Sequence, residues 1–385
     1  MIDDTIPFKM KILISTGEKS GDLHGSNLAK ALFDAYPHAK IIGIGSALMK
    51  AAGVDVRLDL STTSTIGIFE HLKFFGEVFN GIKEIVTIIQ EEQPDIFIPI
   101  DAQGLHMMVL KKIQNLPCKK VYFISPQEWQ WGSDKGGQDV LELVDKILAI
   151  FPQEAAFYKR LGGNVSYVGH PILESSKSTV DKLDFYNQLK LDLDKKILGV
   201  FPGSRAQEIK HTAPILIQAA LMTVQSKPDI YPVISVVDKV FESDIIKLCE
   251  KFNLKKAILY KQNSQDLIKH SYFSFLSSGT IALEHAVMNT PCLAAYKFSW
   301  PTYLIAKTVF RKKLKRLPFM TLPNLIMNKE IIPEFLQNKA KPQQLLNCFN
   351  EIDVDQQRNQ FESVRARLGG GGSYQKAVKV IQNLL

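Results

Sequence analysis

The stretch FLSSGTIALEHAVMNTPCLAAY, residues 275–296, decides how the chain is read. It opens as a short apolar strand at Phe275-Leu276, turns at Ser277-Ser278-Gly279-Thr280, and continues as a helix from Ile281 to Met288. A second apolar run, Cys292 to Ala295, follows Pro291. Strand, small-residue turn, helix, strand is half of an α/β nucleotide site. Such a turn leaves backbone N–H groups at a helix N-terminus, where a phosphate can sit. Glu284, one turn into the helix, is placed to accept hydrogen bonds from a ribose. A buried βα turn capped by Ser or Thr gives the same pattern, so the stretch is weighed with its neighbours.

Upstream, Ile197 to Phe201 is a strand ending in Pro202-Gly203-Ser204-Arg205, with a helix beginning at Glu208-Ile209. A Gly-Ser turn and an arginine at a helix start make a diphosphate clamp. An arginine on an open surface is the plainer alternative. Tyr231 to Val236 and Lys256 to Leu259 are further strands. Downstream, Leu322-Pro323-Asn324-Leu325 is a rigid turn that offers Asn324 as a polar contact.

The first half repeats the logic. Lys11 to Ser15 is a buried strand, followed by the glycine-rich turn 16–22 and a helix from Leu23 to Ala35. The turn is neither GxGxxG nor a Walker loop. It forms either a cleft wall carrying Gly17, Ser20, Gly21 and Asp22 or an ordinary tight turn. Ile41 to Ile44 is the next strand. Pro94 to Ile100 is another and ends at Asp101, a carboxylate at the C-terminal end of a parallel strand and so a candidate general base. His106, in the next helix, reads as structural or surface. Val121 to Ser125 runs into PQEWQWG, where Trp129 and Trp131 line a cleft or simply pack. Lys146 to Phe151 and Tyr167 to Gly169 complete the strands of this half. Strands alternating with helices give a parallel doubly wound sheet in each half. The expected organisation is an N-terminal Rossmann-like domain (1–173), a polar linker (174–195) and a C-terminal Rossmann-like domain (196–350). A C-terminal helical segment (351–385) is then free to pack back on the first domain. GGGGS, residues 369–373, reads as a flexible break before the last helix.

A chain of 385 residues exceeds one ordinary core. Net charge +8 favours an anionic partner. The four cysteines are scattered without a CxxC pair, which suits reduced core residues and neither a zinc site nor a disulfide framework. The start is not a signal peptide, and no apolar run reaches the ~18–20 residues that span a bilayer. Two segments suit a membrane surface. Residues 66–82 gather Phe69, Leu72, Phe74 and Phe75 with few charges; a buried helix is the alternative. Residues 307–316, KTVFRKKLKR, set six basic residues, Lys307, Arg311 and Lys312 among them, beside apolar ones. No nucleic-acid-binding motif is present.

Taken in order, GEKSGD (17–22), IGIFEHL (66–72), the strand ending at Asp101, SPQEWQW (125–131), FPQEAAFY (151–158), VGHP (168–171), PGSR (202–205), SSGTIALE (277–284) and LPNL (322–325) resemble the lipid-A-disaccharide synthases, a GT-B glycosyltransferase family. The resemblance covers nearly the whole chain. It implies a GT-B α/β fold, two Rossmann-like domains facing a central cleft. It also implies an inverting transfer of 2,3-diacylglucosamine from its UDP conjugate to 2,3-diacylglucosamine 1-phosphate, giving a β-1,6 disaccharide and UDP. No metal or cofactor is implied. Asp101 matches the proposed base. Gly203, Ser204, Arg205, Ser278, Gly279, Thr280, Glu284 and Asn324 match the UDP-binding positions. The family works peripherally on the cytoplasmic face of the inner membrane, here with segments 66–82 and 300–316 on anionic lipid; the sequence leaves room for a homodimer. Two departures fall in the acceptor half. DAPDFN is DAQGLH here, with Gly104 and His106 in place of the second carboxylate and the Asn. VWAWR is EWQWG, with Gly132 in place of the arginine. A related GT-B enzyme with another acceptor, or one resembling UDP-N-acetylglucosamine 2-epimerase, would share the donor site.

Overall fold

Short apolar runs buried on both faces suit parallel sheets covered by helices. The structure, a computed structural model, describes residues 10–17, 19–60, 71–130, 132–277, 279–298 and 318–384, with backbone only for Lys19 and residues 71–78. It divides into two compact units, Met1–Pro171 with Leu368–Leu385, and Ile172–Arg367.

Unit 1 holds β1 (Lys11–Thr16), β2 (Lys40–Ile44), β3 (Asp55–Leu58), β4 (Ile96–Ile100), β5 (Lys119–Phe123), β6 (Lys146–Ala149) and β7 (Val165–Tyr167). They form one parallel sheet in the order β3-β2-β1-β4-β5-β6-β7. The order reverses between β1 and β4, so the turns after these strands diverge and open a crevice at their C-terminal ends. The turns also touch: a Cβ on Gly17 would stand 2.7 Å from Ala102 Cβ. The helix after β1 begins at Lys19, earlier than Leu23, and runs to Ala35. Gly21 lets it pass β1, since a Cβ there would stand 3.0 Å from Thr16 Cβ. The sequence did not reveal β3, a four-residue charged edge strand.

Helix His71–Glu92 turns Ile82, Ile85 and Ile89 into the core against Val109, Leu110 and Ile113 of helix Gln103–Ile113. That is one apolar face at helical spacing, while Phe79 lies 59% exposed. Phe69 and the side chains of Leu72, Phe74 and Phe75 lie outside the described residues, as do Lys307, Arg311 and Lys312.

Residues 368–384 belong to unit 1, and the glycine run is a built turn rather than a flexible break. Gly369, Gly370, Gly371 and Gly372 all have positive φ, from 69° to 96°. Lys376 Nζ donates to the carbonyls of Gly369 (2.6 Å) and Gly371 (2.8 Å), and His170 N–H donates to Leu368 O at 2.9 Å. Helix Ser373–Gln382 then packs on helix Lys19–Ala35, with Tyr374 Oη 3.0 Å from His24 Nδ1.

Unit 2 holds β8 (Lys196–Phe201), β9 (Ile230–Ser235), β10 (Ile258–Tyr260), β11 (Phe273–Ser277), β12 (Cys292–Tyr296) and β13 (Glu334–Leu336), parallel in the order β10-β9-β8-β11-β12-β13. Here the order reverses between β8 and β11, whose last pair is Leu276 with Phe201. The PGSR and SSGT turns therefore leave adjacent strand ends. Residues 174–195 are not a linker. Helix Lys182–Leu189 buries Phe185 and Tyr186 in unit 2. Buried Asp266 accepts from Thr179 N–H (2.7 Å), Ser178 Oγ (2.8 Å) and Tyr260 Oη (3.4 Å). Polar side chains here satisfy a buried carboxylate, so polarity did not mean a free segment. Helix Val354–Arg367 also stays in unit 2, where Gln357 hydrogen-bonds Cys292 N–H, Cys292 O and Ile331 O, each at 2.9 Å. Only Leu368 onward joins unit 1.

Candidate active site

A pocket of about 270 Å³ lies in unit 2 along the C-terminal ends of β9, β8 and β11. The turn after β8 forms one wall. Gly203 has φ +114°, and a Cβ there would overlap the Glu208 carboxylate, so glycine is required twice over. Glu208, 4% exposed, accepts from Ser204 N–H (2.9 Å) and Arg205 N–H (3.3 Å) and caps helix Ala206–His211. The Ser204 and Arg205 backbone donors are thus satisfied internally. What this turn offers an anion is the Arg205 guanidinium, 80% exposed and 3.9 Å from Glu208 Oε1, and the exposed Ser204 side chain. The sequence signal for Glu208 was its place three residues after the helix cap.

The turn after β11 forms the facing wall. Ser278 lies outside the described residues. Gly279, φ +151°, is the N-cap of helix Thr280–Met288 and brings no side-chain cap. The start of this helix, Thr280 and Ile281, lines the pocket with the positive end of the helix dipole, and Thr280 is exposed. Glu284 also lines it. Burial pushes its carboxyl up to about 7, and among the described residues it has no hydrogen-bond partner. The next residue, His285, faces the core: its Nδ1–H donates to Ile281 O (2.8 Å) and its ring meets Phe201 edge-on. The structure therefore brings together Gly203, Ser204, Arg205, Gly279, Thr280 and Glu284.

Asn324 does not join them. It is fully buried in helix Leu322–Met327, donates to Ile332 O (2.7 Å) and Glu334 Oε1 (2.8 Å), and accepts from Ile331 N–H (2.7 Å) and Ile332 N–H (2.9 Å). All its amide capacity is spent on holding the segment that enters β13.

In unit 1, Asp101 stands exposed at the end of β4 with φ +53°, followed by Ala102 at +47°. Its backbone is anchored. Asp101 N–H donates to Phe123 O (3.2 Å), and Asp101 O accepts from Tyr122 Oη (2.8 Å) and His106 Nδ1 (2.7 Å). Of the residues expected beside it, Gly17 touches Ala102 and Ser20 is exposed. Gly21 lies buried under Thr16. Asp22 is committed to structure. It is 4% exposed and accepts from Ser46 N–H (2.7 Å), Leu48 N–H (3.0 Å) and Met49 N–H (3.4 Å), which caps helix Ala47–Ala51.

Trp129 is half-buried on Phe151, ring centroids 5.4 Å apart; Trp131 lies outside the described residues. SPQEWQW and FPQEAAFY are bound together by Glu154, fully buried, which accepts from Ser125 Oγ (2.5 Å), Ile150 N–H (2.8 Å) and Phe151 N–H (3.2 Å). Burial raises its carboxyl to about 7. The two departures from the family pattern also meet. Gln103 Nε2 donates to Glu128 Oε1 (2.8 Å), and a Cβ on Gly132 would overlap the Glu128 carboxylate. Glu128 occupies the room a Gly132 side chain would need.

Two parallel-sheet units, one of them with an uncapped helix start and a carboxylate in its pocket, define a GT-B nucleotide-sugar fold. Solved structures of that fold match the chain throughout. The Staphylococcus aureus MnaA–UDP co-structure has TM-score 0.67 at 17% identity and covers 98% of both chains. The UDP-GlcNAc 2-epimerase from Neisseria meningitidis bound to UDP-GlcNAc has TM-score 0.65 at 11%, over 98% of this chain and all of that one. At such identities the likeness is one of fold. The family model "Lipid-A-disaccharide synthetase" matches residues 12–372. The lipid-A-disaccharide synthase of Sulfurihydrogenibium sp. is 33% identical over 97% of this chain and 98% of its own length. That of Persephonella marina is 31% identical over 97% and 99%. The chain belongs to the lipid-A-disaccharide synthase family and is a hexosyltransferase.

Proposed function

We propose that the chain joins UDP-2,3-diacylglucosamine to 2,3-diacylglucosamine 1-phosphate and releases UDP, with inversion at the anomeric carbon. Asp101 takes the proton from the acceptor 6-hydroxyl. That oxygen bonds to the anomeric carbon as the bond to the β-phosphate oxygen breaks, and the electron pair leaves on UDP. The developing charge is met by the start of helix Thr280–Met288 and by Arg205; Gly203, Ser204 and Ser278 shape the diphosphate site. Glu284 accepts from the ribose hydroxyls. The observation that carries this reading is the pocket itself, where a helix start that Gly279 leaves without a side-chain cap, an exposed guanidinium and a carboxylate with no hydrogen-bond partner among the described residues converge.

The reaction takes place on anionic lipid at the cytoplasmic face of the inner membrane. The apolar 66–82 and basic 307–316 sequences support this. Among the described residues no helix is long and apolar enough to cross a membrane. Incubation with the two lipid substrates, with UDP and disaccharide as readouts, tests the assignment. Absence of both products sinks it; UDP release with a different sugar acceptor would reassign the acceptor.

A further inference from the structure

The end of β4 carries two consecutive residues with a Cβ in the left-handed region, Asp101 and Ala102. That conformation is uncommon and persists only where the surroundings over-determine it. Here Asp101 N–H is held on Phe123 O, and the side-chain anchors meet at the carbonyl. Asp101 O receives two donors, His106 Nδ1 at 2.7 Å and Tyr122 Oη at 2.8 Å. The carbonyl can only accept, so the proton sits on Nδ1 and Nε2 is left as an acceptor. Nε2 lies 3.0 Å from Ser15 Oγ, which therefore donates to it. Ser15 lies near the end of β1, the other strand at the reversal point. The imidazole is a fully buried strut between the two strand ends, edge-on to Tyr122 at 6.1 Å.

We propose that His106 is the positioning residue for Asp101, fixing the peptide from which its exposed carboxylate projects. This rests on the reading of Asp101 as the base. Burial holds the imidazole down at about 4, so the ring stays neutral at working pH and keeps one tautomer. It moves no proton; it sets where the carboxylate can reach. The strut stands at the His106 departure from DAPDFN, so in this chain an imidazole anchors the carbonyl from the position where the family pattern has Asn.

Steady-state kinetics of His106→Leu, His106→Asn and Tyr122→Phe, with UDP binding measured on the same preparations, test the assignment. His106→Leu fills much of the ring's space and removes both contacts; kcat should fall about tenfold or more at unchanged UDP affinity. His106→Asn, whose amide N–H can reach toward the carbonyl, should recover most of that loss. Tyr122→Phe deletes only the second donor and keeps the packing, so it reports the same effect even if His106→Leu does not fold; about threefold in kcat is expected. Added to Asp101→Asn, His106→Leu should cost nothing further, because it acts through that carboxylate. Unchanged kcat in both His106→Leu and Tyr122→Phe overturns the positioning role and leaves Asp101 as base. So does a full additional loss in the double variant. Full activity of Asp101→Asn alone overturns the base reading beneath it.

Discussion

The two units share one architecture and use it differently. Each is a parallel sheet whose strand order reverses once, and each places its candidate residues on the turns at that point. In unit 2 the site is made by turns that are local in sequence: Gly203 and Arg205 on one, Gly279 and Thr280 on the other, with Glu284 a turn further on. In unit 1 the candidate base sits on a strained turn held by residues scattered along the chain: Ser15, His106 and Tyr122. A donor site built from turns that are local in sequence can be shared widely. A base held by a long-range side-chain network can be re-supported in one chain without changing its chemistry. DAQGLH is a case, since His106 takes up a place in that support.

The largest expected effect lies on the unit 1 side. Asp101→Asn should lower kcat by about 10²–10⁴ with UDP affinity unchanged, measured by turnover and calorimetry. If UDP binding falls in parallel, the division of labour between the units is wrong. Next is the Glu128–Gly132 pair. Gly132→Arg should destabilise the protein by about 1–3 kcal/mol through overpacking, and Glu128→Val should return part of it in the double variant, read by thermal unfolding. Strict additivity would break the link between the two departures.

On the unit 2 side, Arg205→Ala should weaken UDP by about 1.5 kcal/mol, roughly tenfold in Kd; its exposure argues against more. Glu284 gives a pH effect of fixed sign. Burial places its carboxyl at about 7, and ribose hydroxyls donating to it favour the ionised form. UDP affinity should therefore rise with pH up to about 7 and then level off, up to about tenfold between pH 6 and 8. A proton is released on binding below that point, and Glu284→Gln should flatten the profile. The stability linkage runs the other way. A carboxyl raised in the folded state adds stability at low pH, present below the ordinary glutamate value and lost as pH rises through about 7.

The strands and the donor turns were legible because buried β-runs and glycine turns are local signals. The buried polar partners were not. Asn324 and Asp22 carry the residue types of a binding site, but tertiary packing spends their hydrogen bonds on neighbouring backbone. His106 and Ser15 stand 91 residues apart, beyond any periodicity. The 174–195 segment looked like a linker because its polarity was visible and Asp266, which satisfies it, was distant in sequence.

The return of the chain to unit 1 at Leu368 has a consequence for biosynthesis. The groove on helix Lys19–Ala35 that receives Tyr374, Ala377, Val378 and Ile381 is made early and filled only after all of Ile172–Arg367 has been translated. At roughly 5–20 residues per second, that delay is on the order of ten to forty seconds. Throughout it the nascent first unit carries an open apolar seam.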